Sequence, residues 1–175
     1  MQDLAAMPAI HLRLIAGVER APRLDMQHHV DPDQAFDDEP TQPIERLPAR
    51  VLVAEDDPAL RALMVSRLRA DGCEVIEAHS GDQALDALTD AAIDADHRPL
   101  SLVVLDNRMP GLTGMEISYL VRAWGMKMPV LLVTAYPDPQ MFDEADRLNV
   151  RVLAKPFGFN QLSRIAAAAI ERRPS

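Results

Sequence analysis

Four apolar runs in this chain end in polar residues of complementary chemistry. Val51-Leu52-Val53-Ala54 leads into Glu55-Asp56-Asp57, and Leu102-Val103-Val104-Leu105 into Asp106. Pro129 to Val133 leads into Thr134, and Val150 to Ala154 into Lys155-Pro156-Phe157. If the runs are parallel strands of one sheet, their carboxyl ends share one edge. In open α/β sheets that edge holds the ligand and the chemistry. Glu55, Asp56 and Asp106 would form a carboxylate cluster suited to a hard divalent cation such as Mg²⁺. A cation, the Lys155 ammonium and the Thr134 hydroxyl together can hold a phosphoryl group. The pattern reads as an aspartate that accepts phosphate.

Each position is ordinary when taken alone. Adjacent carboxylates at a strand end repel one another, and burying them unpaired is costly; a divalent cation relieves both problems. Asp57 precedes Pro58 and is a helix-cap candidate, which leaves Glu55 and Asp56 for the metal. Asp106 ends an apolar strand and enters a polar Gly/Pro loop, so its carboxylate can act as a nucleophile on phosphorus and form an acyl phosphate. The peripheral oxygens of that group need positive charge and donors. Lys155 is one of only two lysines against sixteen arginines. Its compact ammonium suits a phosphoryl oxygen. Thr134 could donate to a second oxygen, and Ala135 keeps the approach open. The signal is the joint occurrence at four strand ends.

The elements that would position these residues alternate from residue 50 onward. The pattern predicts strands near 50–55, 74–78, 101–105, 129–133 and 150–154. Between and after them it predicts helices near 58–70, from Ser80 through Leu88, and near 114–124, 138–148 and 160–172. Pro58 suits a first turn, and Leu60, Leu63, Met64 and Leu68 are read as the apolar face of that helix. Gly72 is a helix stop. This is a (βα)₅ arrangement. Apolar strands alternating with helices imply an α/β doubly wound parallel sheet, and the flavodoxin-like order 2-1-3-4-5 is the common small one.

Composition narrows the function classes. The net charge is −9, with −5 on residues 1–49 and −4 on residues 50–175. This balance opposes nonspecific DNA binding and adhesion to anionic membrane, so neither nucleic acid nor membrane is an expected partner. The single cysteine, Cys73, cannot form an internal disulfide. With no apolar run of membrane-span length and no secretory signal, the expected localisation is cytoplasmic. Residues 1–49 are read as an N-terminal extension. Met7, Ile10, Leu14 and Val18 recur at helical spacing, which leaves two readings of 8–20: a short helix or a frayed tail. An acidic linker with Pro32, Pro40, Pro43 and Pro48 follows and is read as flexible.

The acidic pair, the Leu-Asp106-Asn-Arg-Met-Pro110-Gly-Leu-Thr-Gly114 segment, Val-Thr134-Ala135 and Leu-Ala-Lys155-Pro156-Phe157 together resemble the receiver domain of two-component response regulators. The resemblance implies that residues 50–175 form a stand-alone receiver. It implies Asp106 as the phosphoacceptor. Glu55, Asp56, Asp106 and the Arg108 carbonyl would be ligands of Mg²⁺. Thr134, the Ala135 amide and Lys155 would contact the phosphoryl group, and the Lys155–Pro156 bond would be cis. The expected partners are a histidine kinase or histidine phosphotransfer protein and an unnamed downstream protein. The expected function is signalling by contact rather than enzymatic turnover. A phosphorelay intermediate or phosphate sink is the alternative. A haloacid-dehalogenase-like phosphohydrolase fits less well, because those enzymes place Asp-x-Asp after the first strand. Two departures from the family pattern stand out. Val152 occupies the position at which many members carry a switching aromatic. Arg108 and Tyr136 are bulky and flank the site, which implies slower loss of the phosphoryl group to water.

Overall fold

The computed structural model describes residues 47–93 and 98–171. The helix-or-tail alternative for 8–20 and most of the predicted linker lie outside the described residues. Five strands form one parallel sheet: β1 (Arg50–Ala54), β2 (Glu74–Ala78), β3 (Leu102–Asp106), β4 (Val130–Thr134) and β5 (Arg151–Ala154). The order is β2-β1-β3-β4-β5, as the sequence predicts. The helices are α1 (Pro58–Ala70), α2 (Gly81–Ile93), α3 (Gly114–Ala123), α4 (Pro139–Arg147) and α5 (Phe159–Glu171).

The strand sequences account for the layering. Successive side chains of a strand point to opposite faces, so a strand covered on both faces must be apolar throughout. β3 and β4 are buried at every position. One set, Val51, Val53, Val104, Leu131 and Val133, meets Met64, Val65 and Leu68 of α1 and Leu162, Ala166 and Ala169 of α5. The alternate set, Leu52, Ala54, Val103, Leu105 and Leu132, meets Ala84 and Leu88 of α2, Ile117 and Val121 of α3, and Ala145 of α4. The edge strands β2 and β5 are less buried and carry charge, Glu74 and Glu77 on one and Arg151 on the other. Charged edges discourage pairing with another chain.

Local signals explain most boundaries. Asp57 caps α1, and Thr113 with Glu116 forms a capping box at α3. Ser80 Oγ accepts from the Gln83 N–H at 3.3 Å at the start of α2. Gly72 ends the α1 connection with φ +85°, a conformation that disfavours side chains. One expectation needs correction: Leu63 is exposed, and Val65 takes the inward place beside Met64 and Leu68. The buried stripe of α1 is therefore shifted around the helix. Among the described residues, no helix is long and apolar enough to cross a membrane.

The loop after β3 is braced from α2. The Gly81 N–H donates to the Pro110 carbonyl at 2.9 Å. A Cβ on Gly81 would lie 2.0 Å from the Leu112 carbonyl oxygen. Met109, 8% exposed, plugs the same loop into the core. Gly81→Ala is expected to displace residues 107–113 and to destabilise the fold by about 1–3 kcal/mol, the usual range for overpacking. Urea unfolding measures this; unchanged stability would show that the loop yields freely.

Candidate functional site

The register of the sheet brings the four predicted strand ends together. Ala54 pairs with Leu105, Asp106 with Val133, and Thr134 with Ala154. The polar residues therefore emerge side by side at one edge. Three backbone bonds fix the exits: the Glu55 N–H donates to the Ala78 carbonyl at 3.2 Å, Asn107 to Val133 at 2.8 Å, and Lys155 to Thr134 at 2.7 Å. The Lys155–Pro156 bond is cis.

Glu55 is 1% exposed and Asp106 4%, and between them lies the Lys155 ammonium. Lys155 Nζ donates to Glu55 at 2.8 and 3.1 Å and contacts Asp106 Oδ1 at 2.7 Å. Asp56 is exposed at the mouth. One carboxylate oxygen from each of Glu55, Asp56 and Asp106 can be chosen so that all lie within 4.8 Å of one another. Opposite oxygens around an octahedral Mg²⁺ are about 4.2 Å apart, so the donor set fits with a small closure. Three acids and one ammonium leave a surplus of negative charge, which is the electrostatic demand for a cation.

Burial pushes the Glu55 carboxyl above its ordinary 4.5, against the hydrogen bonds from Lys155 and with the added repulsion of Asp106. Burial alone would lower the Lys155 ammonium, but its bonds to Asp106 and Glu55 outweigh that and hold it above 10.5. Asp57 is separate from the cluster. Its carboxylate accepts from the Leu60 N–H at 3.1 Å and the Ala59 N–H at 2.8 Å, which hold it below the ordinary carboxylate value.

Thr134 is 2% exposed, and its hydroxyl oxygen accepts from the Tyr136 N–H at 3.2 Å. Ala135 is exposed beside it. The Arg108 N–H donates to Asp106 Oδ2 at 2.8 Å. The Arg108 guanidinium lies over the Tyr136 ring, 4.6 Å from its centroid. The two bulky flanking residues thus stack on each other across the ends of β3 and β4. Val152 is half-buried against the core on the α4 side of the sheet.

Two contributors had no sequence signal. Arg61, one arginine among sixteen, donates from Nη1 to the Glu55 carbonyl at 2.8 Å and lies 3.8 Å from Glu77. Asn107 accepts at Oδ1 from the Met115 N–H at 3.2 Å, tying the loop to α3. Both bonds span turns whose geometry pattern alone does not specify.

Residues 51–167 match the family described as response regulator receiver domain. A probable transcriptional regulatory protein of Picosynechococcus is 32% identical over 131 residues, 71% of this chain and 50% of that protein. The sporulation initiation phosphotransferase F of Bacillus subtilis is 30% identical over 114 residues, 65% of this chain and 86% of that protein. The chain thus spans half the length of the first relative and most of the second. A crystallised chemotaxis protein of Vibrio cholerae superposes with a TM-score of 0.61 at 26% identity, covering 70% of this chain and 98% of that one.

Lys155→Met removes the ammonium that faces two buried carboxylates. In EDTA it is expected to cost about 3 kcal/mol in urea unfolding, the low end for breaking a buried pair because Glu55, already raised by burial, is then free to take up a proton. Added Mg²⁺ should restore part of the loss. Mg²⁺ held at this cluster would need an ionised Glu55, whose pKa is raised by burial. Protonation therefore competes from a higher pH than for a free glutamate. The Mg²⁺-induced rise in wild-type Tm should shrink on acidification, starting above pH 4.5. A Tm that ignores Mg²⁺ at every pH would contradict the site.

Proposed function

The chain belongs to the response regulator receiver domain family, and from that membership we propose that residues 50–175 accept a phosphoryl group on Asp106 and signal through phosphorylation-dependent protein contact. Receiver domains of response regulators are phosphorylated by histidine kinases and bind Mg²⁺ in an acidic pocket. The observation that carries the assignment to this chain is the Lys155 ammonium held between Glu55 and Asp106.

In the proposed reaction an Asp106 carboxylate oxygen attacks the phosphorus of a phosphohistidine. A P–O bond forms, the P–N bond breaks, and the electron pair leaves on the imidazole nitrogen. Glu55, Asp56, Asp106 and the Arg108 carbonyl would hold Mg²⁺. When bound, it would supply positive charge to offset that of the phosphoryl oxygens. Lys155 supplies a second positive charge. Thr134 would release the Tyr136 N–H and turn its hydroxyl toward an oxygen, and the Ala135 N–H lies next in line to donate. Since Val152 has no ring to rotate, the response would pass through residues 135–138 into α4.

The same chemistry serves a phosphorelay intermediate or phosphate sink. The similarity to a sporulation phosphotransferase over 86% of that protein favours this as the second reading. Both readings place the protein in the cytoplasm, with a histidine kinase or histidine phosphotransfer protein as donor, and both cast it as a signalling protein rather than an enzyme. The domain division at residue 50 is part of the proposal.

Acetyl phosphate with Mg²⁺ is expected to add one phosphoryl group to the wild type and none to Asp106→Asn, because an amide is not a competent nucleophile. Intact-mass spectrometry reads this directly, and labelling of the variant would refute the acceptor. The Arg108–Tyr136 stack should shield the acyl phosphate from water. Arg108→Ala and Tyr136→Ala are each expected to shorten its lifetime several-fold, with the double variant little worse than either, as for residues acting as one unit. Independent, additive effects would show that the stack is incidental.

A further inference from the structure

A second charged region lies at the opposite, amino-terminal edge of the sheet, where β4 and β5 begin. A cavity of about 620 Å³ there is lined by Arg122, Lys127, Arg147 and Arg151, with no acidic residue in its lining. That volume falls in the range of small-molecule sites, about 300–1,000 Å³. Four cations around one cavity run against the composition of a chain with net charge −9.

Helix C-termini gather at this edge, and cations commonly offset their exposed carbonyls. Here that task is largely met by one residue. The Arg122 guanidinium donates to the carbonyls of Leu148 at 2.7 Å, Met126 and Met128 at 3.0 Å, and Asn149 at 3.2 Å. It braces the ends of α3 and α4 and has few donors left. Lys127, Arg147 and Arg151 are exposed and form no ion pair with any described residue. Lys127 is the other of the two lysines in the chain. The half-buried Met126 and Leu148, which pack on the α3–α4 face of the sheet, and Ile165, which packs on the α5 face, add apolar lining to the cavity.

We infer that this groove binds a small phosphorylated anion with an apolar or planar body, of the nucleoside polyphosphate class. Three cations around one cavity match a ligand carrying several negative charges, and guanidinium forks pair well with phosphate oxygens. The apolar lining suits a poorly hydrated body. Size follows from electrostatics. A long polyanion meets the repulsion of the whole acidic protein, whereas a compact one senses the patch within a screening length of about 8 Å.

The test is isothermal titration calorimetry on the full chain with ATP in EDTA, which keeps divalent ions out of the carboxylate site. One saturable site per chain is expected, with inorganic pyrophosphate binding more weakly because it lacks the body. Lys127→Glu and Arg151→Glu, both exposed positions, should each weaken ATP about tenfold or more. Asp106→Asn should bind as the wild type does, which separates this site from the phosphoacceptor. Absence of saturable ATP binding would overturn the inference. So would full ATP affinity in the Lys127→Glu/Arg151→Glu double variant with its fold verified by circular dichroism. Hexaglutamate binding as tightly as ATP would also overturn it, by identifying the groove as a dock for acidic protein segments.

Discussion

A single ammonium group holds the site together. Lys155 Nζ lies 2.8 Å from Glu55 and 2.7 Å from Asp106, two carboxylates almost closed off from solvent. Without it, two like charges would share a buried edge, an arrangement that folded proteins avoid by pairing or protonation. One pair does not neutralise three acids. The site stays net negative, which keeps it ready for a divalent cation, and it carries a positive group where a phosphoryl oxygen would come to rest. Under the proposed function, stability without metal and readiness for phosphate would depend on the same contact.

That contact links residues one hundred positions apart, and only the sheet makes it possible. β1 and β3 are neighbours, β4 follows β3, and β5 follows β4, so the ends carrying Glu55, Asp106, Thr134 and Lys155 are adjacent along one edge. A one-residue slip in any pairing would turn the apolar residues of that strand to the wrong faces. The double hydrophobic covering therefore fixes the chemistry as well as the core. Gly81, packed on the Leu112 backbone, extends the same control to the loop after Asp106.

Much of this was legible in the sequence because apolar runs and their polar stops follow strand periodicity. The helix and strand order, the Asp57 cap, the Gly72 stop and the four strand ends all follow from local pattern. Leu63 was misread because a helix stripe defined by spacing alone leaves its orientation free by about one residue, and packing against the sheet chose Val65 instead. Arg61 and Asn107 were illegible because their partners are backbone groups, the Glu55 carbonyl and the Met115 N–H at the start of α3, that are reached only across loops whose path the sequence pattern leaves open. Arg108 and Tyr136 were visible as two bulky flanking residues. Their stacking on each other required the β3–β4 neighbourhood, which only the assembled sheet supplies.

The most direct measurement of the central claim is a crystal structure of the protein with Mg²⁺ and beryllofluoride, a mimic of the phosphoryl group. The account predicts beryllium bonded to an Asp106 carboxylate oxygen and Mg²⁺ on Glu55, Asp56 and Asp106. It also predicts the Lys155 ammonium drawn from Glu55 toward a fluorine. Beryllofluoride bound away from Asp106, or Lys155 still bridging Glu55 and Asp106 with the mimic in place, would contradict it.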